Sequence, residues 1–177
     1  MCRLILATVA LLVVSFGWAD DDFSVPRDDV RMLSFLHTHT GERISVVFWR
    51  NGKYVNESLD RINRFLRDFR TKDQVEMDPE LLELLYEIHR KTGSREPFEV
   101  ISAYRSPRTN EMLRGRSADS GVAKKSQHLL GKAIDVRLRD VPIATLRKVA
   151  YDLHRGGVGY YEKSNFVHVD TGRFRTW

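Results

Sequence analysis

Two segments in the C-terminal half of the chain, residues 133–138 (AIDVRL) and 166–171 (FVHVDT), alternate polar and apolar side chains with a period of two. A β-strand has this period, because its successive side chains point to opposite faces of the sheet. In the second segment His168 and Asp170 share one face, and the two valines point to the other. In the first segment Asp135 lies between an isoleucine and a valine. The pattern therefore predicts two strands, each with one face on the core and polar side chains on the other.

Further strand signals occur in the N-terminal half. Residues 31–55 contain β-type runs interrupted by Thr40-Gly41 and by Asn51-Gly52, and the second pair is typical of a two-residue hairpin turn. Additional strands are predicted over residues 98–104 (FEVISAY) and in the segment VGYY that ends at residue 161.

Helix signals lie between these strands. Apolar residues spaced three and four apart predict a helix that is capped by Asn56 and continues through Phe69. A second helix has Asp78 as its cap, Pro79 in its first turn and Gly93 at its end. Shorter helices are predicted after residue 106 and from Pro142 to about His154. We therefore expect an α+β domain in which an antiparallel sheet, formed by the second half of the chain, has flanking helices.

The N-terminus has the pattern of an export signal. Residues 1–19 contain one arginine, an apolar run from Leu4 to Phe16, and small residues at positions 17 and 19. An uncleaved anchor is the alternative, but the run is shorter than the roughly 20 residues that span a bilayer. We expect residues 1–19 to be a signal peptide and residues 20–177 to form a single domain, with no stable membrane insertion after the signal is removed.

Cysteine usage restricts the chemistry of a functional site. Cys2 is the only cysteine, and it lies within the predicted signal. The exported protein would then contain no thiol, which excludes disulfides, cysteine nucleophiles and cysteine-rich metal sites. Any metal ion must be held by His, Asp and Glu.

The charge of the chain indicates no nucleic-acid partner. The formal net charge is +5, but the basic residues are scattered and form no block of five or six. In an exported protein a mildly basic surface favours approach to an anionic polymer such as a cell wall. The sequence gives no indication of oligomeric state.

Three residues supply the ligand set of a catalytic zinc site, which takes three protein ligands and leaves one position open. They are His128, Asp135 and His168. Gly131 gives the turn after His128 the freedom to bring that side chain over the following strand. A polar turn beside a buried strand is the alternative interpretation, and the residues alone leave both open. A second histidine pair, His37 and His39, has no neighbouring carboxylate in sequence and is not expected to bind a metal.

Five separated segments also resemble a known family. Ser126, His128, Gly131, Ala133 and Asp135 form the pattern SxHxxGxAxD, which resembles the zinc signature of the D-alanyl-D-alanine metallopeptidases. That superfamily also contains lysostaphin-type enzymes and the hedgehog signalling domain. Together with that pattern, four segments are similar, in order and spacing, to the murein endopeptidase K group of Gram-negative bacteria: residues 102–114 (SAYRSPRTNEMLR), 121–126 (GVAKKS), 156–161 (GGVGYY) and 166–172 (FVHVDTG).

The resemblance implies a function and a set of site residues. His128, Asp135 and His168 would bind Zn²⁺, Arg105 would polarise the substrate carbonyl or bind the developing oxyanion, and Ser126 would lie near the substrate. The alternative role for Arg105 is a structural salt bridge. The implied activity is zinc-dependent hydrolysis of amide bonds in the peptide cross-links of peptidoglycan, within the stem peptides, during cell-wall growth in the periplasm. The implied fold is that of the hedgehog and D-alanyl-D-alanine peptidase domains.

The general base is the point at which the sequence departs from the superfamily. Relatives that cleave terminal D-alanine have a glutamate three residues before the last histidine, and here that position is Asn165. Asp170 is our first candidate because it shares a strand face with His168. Glu162 is the second candidate, and orientation of His168 is the alternative role for Asp170. Asn165 also favours a second hypothesis, a zinc-stabilised peptidoglycan-binding module without turnover.

Overall fold

The computed structural model describes residues 29–116 and 122–177, and within these ranges the chain forms eight β-strands, four α-helices and one short 3₁₀-helix. The predicted signal peptide and residues 117–121 of the polar loop lie outside the described residues. The strands are β1 (Val30–His37), β2 (Arg43–Arg50), β3 (Lys53–Tyr54), β4 (Phe98–Ser102), β5 (Ala133–Arg137), β6 (Gly157–Tyr161), β7 (Phe166–Asp170) and β8 (Arg175–Thr176). The helices are α1 (Asn56–Phe65), α2 (Pro79–Thr92), α3 (Pro107–Arg114) and α4 (Ile143–Asp152), and the 3₁₀-helix is Gln127–Leu130.

All eight strands belong to one open sheet with the order β3-β2-β1-β4-β5-β7-β6-β8. The strands β4, β5, β7 and β6 pair antiparallel, as the sequence predicts for the second half of the chain. The β1–β4 and β6–β8 pairs are parallel, so the sheet as a whole is mixed and not purely antiparallel. The chain is therefore a mixed α/β structure in which two antiparallel groups of strands, β3-β2-β1 and β4-β5-β7-β6, are joined by the parallel β1–β4 pair.

The hairpin predicted at Asn51-Gly52 is present between β2 and β3. Asn51 has φ 51° and Gly52 has φ 78°, and Arg50 pairs with Lys53 across the turn. Two successive positive φ angles are what a two-residue hairpin turn matched to the strand twist requires, and asparagine followed by glycine tolerates them best.

The two longer predicted helices differ in how well the sequence defines them. Helix α2 has the predicted ends: the Asp78 side chain accepts a hydrogen bond from the backbone N–H of Glu80, and Gly93 is left-handed with φ 66°. For α1 the predicted ends were wrong, because the N-cap is Val55, which makes no side-chain cap bond, and the helix ends at Phe65 instead of Phe69.

The early end of α1 has a physical cause in Asp68. This carboxylate is 1% exposed and accepts hydrogen bonds from both the backbone N–H and the hydroxyl of Ser106. The carboxylate also accepts a hydrogen bond from the backbone N–H of Arg70, and the backbone carbonyl of Asp68 accepts one from the backbone N–H of Lys72. The chain must leave the helix to make these bonds, so a long-range contact overrides the helical pattern.

The core lies on one face of the sheet. Ile134 and Val136 of β5 and Val167 and Val169 of β7 belong to one cluster of buried apolar side chains, as the alternation predicts. Helices α2 and α4 contact each other, α2 also contacts β1, and α4 contacts β6 and β7. The opposite face of β5 and β7 is thus left for polar side chains. Within the described ranges no helix is both long and apolar enough to cross a bilayer.

Candidate metal centre

Strand pairing brings two of the predicted ligands together. Strands β5 and β7 are antiparallel neighbours, and their register sets Asp135 directly opposite His168. Both side chains project from the face opposite to the core valines, because side chains alternate along each strand. The two residues are thereby placed side by side on rigid backbone.

The turn after the 3₁₀-helix brings the third residue into place. Ser126 caps this helix by accepting a hydrogen bond from the backbone N–H of His128. Gly131 follows with φ 67°, and a Cβ there would lie 2.6 Å from the carbonyl oxygen of Glu76. A side chain at position 131 would thus meet both backbone strain and a steric clash, so the close turn requires glycine.

The three side chains converge. The Nδ1 atom of His168 lies 2.9 Å from Oδ1 of Asp135, and Nε2 of His128 lies 3.3 Å from the same oxygen. The two imidazole nitrogens are 3.2 Å apart. Among the described residues these three form a group able to hold a metal ion, with one ligand atom from each and all within 4.8 Å of one another.

One hydrogen bond of each imidazole, on the side of the ring away from Asp135, shows which ring nitrogen carries the proton and which has a lone pair for a metal ion. Nδ1 of His128 lies 2.6 Å from the carbonyl oxygen of Ala103, which can only accept, so Nδ1 carries the proton in the neutral ring. Nε2 of His168 lies 2.8 Å from Oδ2 of Asp170 and donates to it. The remaining lone pairs therefore point to the same place as the carboxylate of Asp135. This outer hydrogen-bonding arrangement is the one that metal-binding histidines commonly have.

The charge state of the cluster favours a cation. Burial raises the pKa of Asp135, but the two adjacent histidines outweigh burial and hold its pKa well below the usual range. Burial lowers the pKa of His168, and hydrogen bonds and charges from Asp135 and Asp170 more than offset it, so that its pKa is raised. A proton and a metal ion compete for Nδ1 of His168, so metal binding at this cluster must weaken as the pH falls.

Asp170, the first candidate for the general base, lies behind His168. It is fully buried, and burial raises its pKa, but hydrogen bonds outweigh burial and lower the pKa. The bonds come from His168, from Arg175 at 2.6 Å and from the backbone N–H groups of Gly157 and Gly172. Both carboxylate oxygens are thus occupied by donors on the side of the ring away from Asp135.

Arg105 lies beside the cluster and is loosely held. It follows β4, is 9% exposed, and its guanidinium is 3.8 Å from Oδ2 of Asp135. Its other contacts are long, at 3.4 Å to Asn110 and 3.5 Å to Ser102, and its buried Nε atom has no hydrogen-bond partner among the residues that the structure describes. Such contacts are not those of a tight structural ion pair, which is normally bidentate and shorter.

Glu162 and Asn165 lie in the turn between β6 and β7, and both are exposed. Asn165 has φ 53°, and its backbone N–H donates to the carbonyl of Glu162. Asparagine tolerates this left-handed conformation better than glutamate, which accounts for the residue at this position. The two histidines of the second pair, His37 and His39, pack against Phe69 at the end of β1, away from the cluster.

The cluster opens into a cleft of about 370 Å³. Sequence reasoning missed several of its lining residues, and it also missed Asp68, whose contact with Ser106 fixes the turn that carries Arg105. No local pattern marks these residues, because each contact joins distant parts of the chain. The cleft is lined by Arg105, Val122, Ala123, Lys125, Ser126, Gln127, His128, Asp135, Tyr161, Phe166, His168, Arg175 and Trp177.

Comparison with known proteins identifies the family. The family described as peptidoglycan L,D-endopeptidase MepK matches residues 25–177. The protein of that name from Escherichia coli K12 is 44% identical over 154 residues, which cover 87% of this chain and 82% of the relative. A probable peptidoglycan L,D-endopeptidase MepK from Haemophilus influenzae is 45% identical over 148 residues, which cover 83% and 78%. No solved structure matches the chain significantly. The resemblance found in the motifs is confirmed, and the chain belongs to the peptidoglycan L,D-endopeptidase MepK family.

Proposed function

We propose that this protein is a zinc-dependent peptidoglycan endopeptidase that hydrolyses L,D-peptide bonds in the stem peptides of cell-wall cross-links. One observation carries the proposal: one possible metal-ligand atom from each of His128, Asp135 and His168 lies within 4.8 Å of the others, in an open cleft that Arg105 also lines. The relatives are peptidoglycan L,D-endopeptidases by name, and they supply the class of bond.

The donor set fits Zn²⁺. Two imidazole nitrogens, from His128 and His168, and one carboxylate oxygen, from Asp135, are a normal zinc set, and three protein donors are the number found in catalytic sites. When bound, such an ion supplies a Lewis acid that activates water and polarises an amide carbonyl. The residues of the chain hold this ion and orient the substrate beside it.

Arg105 is suited to stabilise negative charge on the substrate. Its guanidinium is always protonated, and its two terminal nitrogens make only long contacts, so they remain available as donors at the cleft that Arg105 lines. A donor fixed beside the reacting carbonyl stabilises charge that develops only in the transition state. Ser126 lines the same cleft, where it caps the turn that carries His128 and lies near the substrate.

Asp170 acts, in this proposal, through His168. Its hydrogen bond to Nε2 fixes the ring orientation and keeps the lone pair on Nδ1, and Arg175 holds Asp170 in place. The complete burial of Asp170 favours this orienting role over that of general base. Glu162 would need a movement of its turn to take up the base role, because it does not line the cleft.

The location and fold of the protein complete the proposal. Residues 1–19 are a signal peptide, residues 20–177 form one domain, and the protein acts in the periplasm, where its substrate lies. The antiparallel group β4-β5-β7-β6 carries Asp135 and His168 on one face. This arrangement supports a fold like that of the D-alanyl-D-alanine peptidase and hedgehog domains.

The test is digestion of purified peptidoglycan sacculi by the zinc-loaded protein, followed by separation of the muropeptides. We expect the L,D-linked dimers to disappear, and a chelator to stop the reaction. Asp135→Ala should lose both the metal, measured by elemental analysis, and hydrolysis, whereas the exposed Asp152→Ala should keep both. Binding to sacculi with unchanged muropeptides would support the binding module instead. Stoichiometric zinc in Asp135→Ala would contradict the ligand set.

A further inference from the structure

The last residue of the chain, Trp177, is held at the edge of the sheet by its backbone. Its carbonyl accepts a hydrogen bond of 2.9 Å from the backbone N–H of Tyr160, and its own N–H donates to the carbonyl of Val158 at 3.3 Å. Strand β8 pairs in parallel with β6 just before it. The backbone of Trp177 is therefore fixed against β6.

The indole ring of Trp177 is also fixed. Its Nε1–H donates to the hydroxyl of Tyr161 at 2.9 Å, and the guanidinium of Arg175 lies 5.0 Å from the ring centroid. A Cβ at Gly159 would come within 2.7 Å of the ring. The ring thus lies directly on the glycine backbone, in a space that any side chain at position 159 would occupy.

This fixed ring lies next to the metal cluster. Gly159 pairs with His168 across β6 and β7, so a ring packed on Gly159 is adjacent to the imidazole, and the two ring centroids are 5.1 Å apart. Trp177 nevertheless remains 47% exposed and lines the cleft. An immobilised indole that remains partly exposed contributes apolar contact area at little entropic cost on binding.

The cleft is lined by two chemically different groups of residues. The aromatic group consists of Trp177, Tyr161 and Phe166, and the rings of Tyr161 and Phe166 stack with their centroids 4.5 Å apart. The basic group consists of Arg105, Lys125 and Arg175. A ligand that matches both groups carries carboxylates and an aliphatic portion, which describes an acidic peptide.

We propose that Trp177 is a substrate-binding residue that packs against the aliphatic portion of an acidic peptide beside the metal cluster. This inference rests on the proposed function for its substrate, and it assigns the aromatic group of the cleft to substrate positioning. Gly159 is required because it leaves room for the ring, and Tyr161 fixes the ring through its hydroxyl group.

The first test is steady-state hydrolysis of isolated cross-linked muropeptide dimers. Trp177→Ala should raise KM about 10-fold, the size expected when one aromatic contact is lost, and change kcat less than about 3-fold. Trp177→Phe should restore most of the affinity. Gly159→Ala should raise KM as Trp177→Ala does, although the indole is still present, because the added methyl group displaces the ring. An unchanged KM in Trp177→Ala would overturn the proposal, and so would a fall in kcat together with loss of zinc.

A second test needs no turnover and so remains informative if the proposed function fails. The chain has three tryptophans, at positions 18, 49 and 177. In a full-length, zinc-free protein with Trp18→Phe and Trp49→Phe, the fluorescence of Trp177 should change saturably as muropeptide dimers are added. The matched control is a protein in which Trp49, on β2 towards the other end of the sheet, is the only tryptophan. Its fluorescence should not change when the dimers are added. No change in the Trp177 signal would overturn the proposal.

Discussion

The Nε2 atom of His168 lies 2.8 Å from Oδ2 of Asp170, on the side of the imidazole that faces away from Asp135. Asp170 has no exposed surface, and Arg175 pairs with the same carboxylate. A carboxylate in this position sets the tautomer and the orientation of the histidine. It is less suited to take a proton from water in the cleft.

Replacement of Asp170 by alanine separates these two roles. We expect Asp170→Ala to weaken zinc binding about 10- to 100-fold, the usual effect of losing such a partner, and to recover most of its kcat at saturating zinc. Zinc affinity is measured by competition with a chelator, and kcat is measured on muropeptide dimers over a range of zinc concentrations.

The control for this experiment is Glu162→Ala, in the exposed turn between β6 and β7. We expect it to bind zinc and to turn over like the unmodified protein. If Asp170→Ala stays inactive with zinc fully bound, Asp170 is the general base and the orienting role is wrong. If Glu162→Ala is inactive with zinc bound, the base is Glu162.

Arg105 can be tested through a conservative change. Arg105→Lys keeps the positive charge but loses the planar fork of donors, so we expect kcat/KM to fall about 100-fold, as for removal of one oxyanion donor. Zinc content should be unchanged. Arg50→Lys, an exposed arginine at the end of β2, is the matched control and should leave kcat/KM unaltered. Equal kcat/KM values for Arg105→Lys and the unmodified protein would show that Arg105 has only a structural role.

The sequence predicts best those features that depend on local pattern. The strand alternation around Asp135 and His168 was enough to place both side chains opposite the core, and the Asn51-Gly52 and Asp78–Pro79 signals correctly placed a hairpin and a helix start. These features depend on backbone conformations that a few neighbouring residues determine.

What the sequence could not show depends on contacts between distant residues. The end of α1 is set by the bond between Asp68 and Ser106, which are 38 positions apart, and the helical pattern through Phe69 gives no sign of it. The parallel β1–β4 pair and the placement of Trp177 beside His168 likewise follow from tertiary packing. For Asp170 the alternation correctly gave the strand face, but only the structure gives the donors that surround the carboxylate.

Gly131 and Gly93 provide a comparison of two left-handed glycines. Gly131 has φ 67°, and a Cβ there would clash with the backbone of Glu76. Gly93 has φ 66°, and a Cβ there would have no atom of the described residues within 4 Å. We expect Gly93→Ala to cost about 1 kcal/mol, from backbone strain alone. Gly131→Ala should cost about 3 kcal/mol or more and weaken zinc binding, because the turn that carries His128 must shift. Urea unfolding measures both costs, and equal values would contradict the clash.

Asp68 is a buried carboxylate outside the metal cluster whose ionisation can be followed through stability. Burial raises its pKa, but hydrogen bonds from Thr109, Ser106 and the backbone outweigh burial and lower the pKa to about 2. A folded-state pKa below the unfolded one stabilises the protein when the carboxylate is ionised in both states. This contribution is complete above the ordinary pKa of an aspartate and is lost as the pH falls towards 2.

Asp68→Asn should therefore reduce the free energy of unfolding by about 2 kcal/mol at pH 6, and the difference from the unmodified protein should shrink between about pH 4 and pH 2. Urea unfolding across this range measures it. Asp60→Asn, on the exposed side of α1, is the matched control and should show little difference at any pH. Because Asp68 anchors Ser106 next to Arg105, kcat/KM should fall in Asp68→Asn with zinc retained. A stability difference that is constant from pH 6 to pH 2 would mean that neutral hydrogen bonding, not the ionised carboxylate, holds this turn.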